Sequence, residues 1–177
     1  MIYSFLQNGD SAVTVQFQNE ISEEVNRRVT GLCNRIEAKH INGIIELVPT
    51  FASLTVFYDC TIISSKKLKK KIKSLINGGE CDVKSTAKVW NIPVCYDDEF
   101  ALDMKNVCSH TALEREEVIK LHTSKPYLIY MLGFLPGFAY LGGMDERLFT
   151  PRLKTPRLEI FEGAVGIGGE QTGIYPI

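Results

Sequence analysis

The chain has 177 residues, of which 45% are hydrophobic and 23% charged. That is one ordinary domain or two small ones with enough apolar material for a core, so disordered, collagenous and coiled-coil classes are excluded. A balance of 20 basic against 21 acidic residues gives a net charge of −1, which argues against a globally basic nucleic-acid binder, and no apolar run reaches the roughly 18–20 residues of a membrane span.

The start, MIYSFLQNGDSA, lacks a basic segment followed by an apolar one, so no signal peptide is expected. Tyr3–Leu6 offers a possible edge strand. Val13, Val15 and Phe17 alternate with polar residues, the pattern of a half-buried strand. Ser22 before Glu23 and Glu24 marks a helix start, since a serine oxygen and nearby acids both suit free N–H groups. Val25, Val29, Leu32 and Ile36 then fall on one face, and Asn42-Gly43 is the expected stop.

Ile44–Val48 and Leu54–Tyr58 predict a hairpin around the turn Pro49–Ser53. Ser64 or Ser65 caps a second helix with Leu68, Ile72, Leu75 and Ile76 on one stripe and Asn77-Gly78-Gly79 at its end. Six lysines between Lys66 and Lys73 are an anion patch or, on our reading, the solvated face of that helix, because no aromatic residue interleaves them. Lys88–Tyr96 predicts one more strand, pushed to an edge by Pro93. The order β-α-β-β-α-β is that of a ferredoxin-like α/β sandwich.

Asp97, Asp98 and Glu99 precede Phe100, Met104, Val107 and Cys108, spaced for a short helix. Thr111 and Glu114 form a T-x-x-E capping box for a helix carrying Val118 and Leu121. Tyr127–Leu132 is strand-like. Beyond Leu132, glycine and proline concentrate: nine of 14 glycines lie between Gly133 and Gly173. The apolar loop GFLPGFAYLGG either plugs a fold or lines a ligand groove. Arg152 and Arg157, in two Thr-Pro-Arg repeats, form an anion clamp or pair with Asp145, Glu146 or Glu159. EGAVGIGGEQTGIYP predicts short bent strands of a small barrel.

Known catalytic signatures are missing. G-x-G-x-x-G fails at Gln171, the P-loop fails at Gly169 and Glu170, and neither G-x-S-x-G nor H-E-x-x-H occurs. Cys95, Cys108, His110 and His122 match no zinc spacing, so no metal is expected. Five cysteines without a C-x-x-C pair read as reduced thiols of a cytosolic protein. His122 is either a helix-end histidine favoured by the dipole or a proton carrier beside the glycine loop.

The stretch from His122 to Pro176 resembles the family that includes the B subunit of 5-oxoprolinase, allophanate hydrolase subunit 1 and the Kip-type sporulation kinase inhibitors. The matching residues are His122, Gly133-Phe134-x-Pro136-Gly137-Phe138-x-Tyr140-Leu141, Leu148-x-x-Pro151-Arg152 and Pro156-Arg157. They continue in Gly163-x-Val165-x-Ile167-x-Gly169-x-Gln171-Thr172-Gly173-Ile174-Tyr175-Pro176. Gly9-Asp10-x-Ala12, Glu46-x-Val48-Pro49, Ser53-Leu54 and Tyr58-Asp59 extend the likeness to the N-terminal half.

The resemblance implies an α+β chain: an N-terminal ferredoxin-like domain over residues 1–88 and a cyclophilin-like β-barrel over 89–177. It implies a bacterial, cytoplasmic subunit of an ATP-dependent 5-oxoprolinase, working with the homologous C subunit and with the A subunit, and with ATP as co-substrate. The alternatives it carries are an inhibitor of a sensor histidine kinase and an inactive truncated relative. On the enzyme reading Phe134, Phe138, Tyr140 and Tyr175 wall a substrate groove. Arg152 and Arg157 hold a carboxylate or phosphorylated intermediate, Gln171 and Thr172 add polar contacts, and His122 is the catalytic candidate. Two departures stand out. Ala164 replaces a serine usual in the family, beside a new charge at Glu162, and the chain stops at Ile177, before the segments expected to finish the barrel.

Overall fold

The computed structural model describes residues 2–78 and 88–176. Gly79 of the second helix stop, Cys81 and the terminal Ile177 therefore lie outside the described residues. The chain forms two compact units, Met1–Thr86 and Ala87–Ile177.

The first unit is an antiparallel sheet with two helices on one face. Its strands are β1 (Ser4–Asn8), β2 (Ala12–Gln16), β3 (Ile44–Pro49) and β4 (Ser53–Tyr58), in the order β1-β2-β4-β3. Its helices are α1 (Glu23–Ala38) and α2 (Ser65–Asn77). The Ser22 oxygen accepts from Val25 N–H at 3.2 Å, and the Ser64 oxygen accepts from Lys67 N–H at 3.4 Å. Both caps were legible because each satisfies a donor that the first helical turn leaves free. The helix α1 ends at Ala38, earlier than its expected stop, and His40 turns the chain with φ 43°. Gly43 takes φ 94° at the entry to β3, where a Cβ would stand 2.8 Å from Ile63 Cγ2; only glycine suits that turn.

Val13 and Val15 of β2, Leu54 and Val56 of β4, and Val29 and Leu32 of α1 are fully buried in one core with Leu68 and Ile72 of α2. Cys33 lies in that core, where burial pushes its thiol up to about 11. The strand β2 is more enclosed than its alternation predicts, since Thr14 is buried too. The reason is its central place. Thr14 Oγ1 lies 2.8 Å from Thr55 Oγ1 on one side and accepts from Asn8 Nδ2 at 2.6 Å on the other, so neighbouring strands cover and satisfy its polar face.

Lys88–Tyr96 forms no strand. The edge position beside β2, which the last strand of a split βαβ would take, is filled by β1 instead. Pro93 lacks the N–H that a ladder needs.

The second unit carries α3 (Met104–Thr111), α4 (Arg115–His122), and strands β5 (Leu128–Leu132), β6 (Ala139–Gly142), β7 (Val165–Gly168) and β8 (Gln171–Ile174). The sheet is antiparallel, ordered β5-β6-β8-β7, so β5 and β7 are its edge strands among the described residues, and Thr150 bridges to Gly169 just past β7. A 3-10 turn spans Glu146–Leu148. The expected helix after Asp97 begins only at Met104; residues 98–100 form a turn. The T-x-x-E capping box does not form. Thr111 belongs to the last turn of α3, its hydroxyl donates to the Val107 carbonyl at 2.8 Å, and Ala112 reverses the chain with φ 56°. A hydroxyl engaged four residues back has no part in capping the next helix.

Candidate functional site

The sheet of the second unit has two chemically different faces, because side chains alternate along a strand. On one face, Leu141 of β6, Thr172 of β8 and Ile167 of β7 lie in a row across the pairing register. Ile167 packs against a small core of Val118 and Leu121 from α4 with Met144 and Leu148. On the other face the row is Tyr140, Gly173 and Gly166. There the glycines supply a floor and the aromatic residues cover it.

Phe138 stands over Gly173, where an added Cβ would lie 2.7 Å from its ring. The Phe138 ring meets Tyr140 at 4.9 Å, Tyr175 at 5.0 Å and Phe134 at 5.5 Å between centroids, each edge-to-face. That geometry sets a positive ring edge against a negative ring face. Tyr175 also covers Gly166. Phe134 is 71% exposed and holds a left-handed backbone, φ 63°. An aromatic residue is strained there, and such strain gathers where a fold presents a side chain.

Polar groups meet the aromatic face at the β7–β8 turn. Gly168 and Gln171 are paired across it, and Arg152 Nε lies 3.2 Å from where a Gly168 Cβ would stand. Gln171 Nε2 is buried with no hydrogen-bond partner among the described residues. A buried amide donor without a partner carries a desolvation cost, and few are found in folded proteins.

His122 and Thr172 sit on the opposite face. The Thr172 hydroxyl donates to the Gly166 carbonyl at 3.0 Å and lies 3.3 Å from His122 Nε2. Tyr96 Oη lies 2.6 Å from His122 Nδ1. With the threonine hydrogen committed to Gly166, Nε2–H donates to Thr172 and the Tyr96 hydroxyl donates to Nδ1. The network therefore assigns a neutral imidazole of the Nε2–H tautomer. Burial lowers the His122 pKa, outweighing the cation-favouring helix end that the sequence suggested. Burial likewise raises Tyr96 and, with the nearby Tyr96 and Asp145, pushes Tyr127 up to about 12. Tyr127 donates to the His122 carbonyl at 2.7 Å.

The sequence-derived candidates thus divide. Phe134, Phe138, Tyr140, Tyr175, Gln171 and Arg152 share the aromatic face. His122 and Thr172 form a buried network behind it. Arg157 is held elsewhere: its guanidinium forks onto Asp103, ahead of α3, at 2.5 and 3.3 Å. Asp103 is a partner the sequence reading did not name, and Asp145 instead receives Arg147 at 2.9 Å. Hydrogen bonds from Arg147 bring Asp145 down to about 2. Tyr96 and Tyr127 were missed. They stand 26 and five residues from His122, and no local motif joins them. The parity of 171, 173 and 175 against 172 and 174 was the signal that separates the two faces.

The model of the carboxyltransferase domain, subdomain C and D, matches residues 3–177. The chain belongs to this carboxyltransferase-domain family. It is 42% identical to the B subunit of 5-oxoprolinase from Bacillus subtilis, over 99% of this chain and 77% of that protein. The crystal structure of TTHA0988 aligns with a TM-score of 0.78 at 33% identity, over 94% of this chain. This member spans only 32% of that structure's length. Urea carboxylase of Kluyveromyces lactis shares the fold, with a TM-score of 0.77 at 21% identity, over 98% of this chain and 18% of that one. No helix among the described residues is long and apolar enough to cross a membrane.

Proposed function

We propose that this chain is a non-autonomous subunit of a cytoplasmic ATP-dependent 5-oxoprolinase, acting with the A and C subunits of that enzyme. The observation that carries this reading is its 42% identity, over 99% of the chain, to a 5-oxoprolinase B subunit. The reaction consumes two waters: one adds across the lactam C–N bond of 5-oxoproline, giving L-glutamate, and the other is taken up as ATP becomes ADP and phosphate. ATP is a co-substrate of the assembled complex, and no residue of this chain is assigned to it.

The aromatic face suits a small flat lactam. Phe134, Phe138, Tyr140 and Tyr175 take the ring, Arg152 takes the carboxylate, and Gln171 Nε2 donates to the lactam oxygen. His122 and Thr172 hold the sheet from behind. Arg157 joins only by exchanging Asp103 for substrate. We read the first unit as a ferredoxin-like variant with β1 in the closing position and the second as part of a cyclophilin-like barrel, with the domain boundary after residue 88, two residues beyond the end of the first compact unit.

The test is 5-oxoproline-dependent ATP hydrolysis by the A and C subunits, with and without this chain. Hydrolysis that requires the chain is expected, and no dependence, beside a control B subunit that works, rejects the role. Arg152→Ala should raise KM for 5-oxoproline about tenfold or more, the scale of a lost charge-assisted hydrogen bond. An unchanged KM removes Arg152 from the site, and the same assay of Arg157→Ala decides Arg157. A second reading, inhibition of a sensor histidine kinase, draws on exposed Ile129, Leu132 and Phe134 as apolar surface for a helical partner. It predicts suppressed autophosphorylation of the purified kinase in the absence of the C subunit.

A further inference from the structure

The proposed function leaves the lysine face of α2 unused. The helix SKKLKKKIKSLIN has six lysines and no acid. Leu68, Ile72 and Ile76 turn inward and are buried, which leaves the lysines outside. Among the described residues none of the six is in an ion pair. Lysines three and four apart on one helix repel, each pair costing roughly 0.2–0.5 kcal/mol.

Three of these lysines border a groove. Lys69, Lys70 and Lys73 line about 620 Å³ together with Tyr3, Ser4 and Phe5. Ser4 and Phe5 belong to β1, whose outer edge has no strand partner among the described residues. Alternate residues of such a strand turn N–H and C=O groups away from the sheet. The start of α2 is tied to β1. The Ser65 hydroxyl, at the start of α2, donates to Gln7 Oε1 at 2.6 Å, and Gln7 Nε2 donates to the Ala12 carbonyl at 3.1 Å.

We propose that the free edge of β1 and the Lys69–Lys70–Lys73 face form one docking groove for an extended acidic segment of a partner protein. The segment adds to the sheet as a further strand, and its carboxylates meet the lysines. Charge complementarity and the unpaired backbone choose this occupant together. A nucleic acid or an anionic lipid surface would use the lysines alone. Tyr3 and Phe5 offer no stacking platform, since they meet edge-to-face at 5.7 Å and pack against the core. The lysines are not the usual guard against strand addition either: they sit on the neighbouring helix, and the strand itself, SFLQN, is uncharged.

The test is fluorescence anisotropy of the full chain with a short labelled peptide alternating Glu and Val, at low and moderate salt. Saturable binding is expected, with shifts of the Ser4 and Phe5 amides in NMR spectra. Lys69→Glu with Lys73→Glu should weaken it about tenfold, with the urea midpoint of the double variant close to the parent's. Methylating alternate peptide amides should abolish it. No binding overturns the proposal. So does undiminished binding of the methylated peptide, or a preference for single-stranded oligonucleotides or phosphatidylserine vesicles, because charge alone then explains the face. None of these outcomes depends on 5-oxoprolinase activity.

Discussion

The two sheets of this protein are alike in pairing and opposite in use. Each has four antiparallel strands. In the first, the central strands β2 and β4 set Val13 against Val56 and Val15 against Leu54, all fully buried. In the second, the central strand β8 sets Gly173 between Tyr140 and Gly166. Branched side chains at the centre of a sheet fill a core and fix one packing. Glycines there leave a floor, which aromatic residues cover. What a sheet does is therefore decided less by its topology than by what stands at its central register.

The sharpest break of this comparison is Leu32→Ala. Leu32 is fully buried under the first sheet, and its loss should cost about 3 kcal/mol, read as a lower urea midpoint. A cost under about 1 kcal/mol would mean the first core is no better packed than the second.

Next comes Gly173→Val, which puts branched bulk where the second sheet has a floor. The new Cβ meets the Phe138 ring, so overpacking should cost about 2 kcal/mol. The near-ultraviolet circular dichroism of the aromatic cluster should fall with it. A variant with an unchanged spectrum would show that the floor is not what holds the rings.

Tyr96→Phe removes the donor to His122 Nδ1 and should cost about 1–2 kcal/mol by leaving a buried acceptor open. The same network predicts a pH dependence. The folded pKa of His122 lies below its ordinary value of 6.5. The unfolded chain therefore takes up a proton first as pH falls. Stability from this group is complete above 6.5 and declines below it, until the folded state protonates as well. His122→Gln should flatten that part of the urea-midpoint profile, and an unaltered slope would assign it to other groups.

The smallest effect is Ser22→Ala, about 1 kcal/mol from the lost cap of α1, measured by thermal melting. It tests whether the first unit leans on local signals as well as on its core.

Those local signals were the legible part. Ser22, and Ser64 or Ser65, marked helix starts, and the apolar stripes of α1 and α2 named residues now buried at their inner faces, with Leu75 only partly so. The hairpin β3–β4 was readable from its β-rich runs. Signals of equal strength failed where a tertiary partner intervened. Thr111 had the spacing of a capping box, but its hydroxyl is engaged by the preceding turn. Lys88–Tyr96 had the composition of a strand, but β1 occupies the place it would fill. In the candidate site the glycines and aromatics were visible as a cluster. Their division between two faces was not, and neither was Asp103 as the partner of Arg157.

The sequence by itself determined the elements whose cause is local: caps, amphipathic stripes and glycine turns, each fixed by neighbours within a few residues. Only the tertiary structure decided which strands lie at the sheet edges, which arginine is already paired, and that His122 is neutral. Those outcomes depend on groups far apart in the chain, and on burial, which no single residue carries in its own identity.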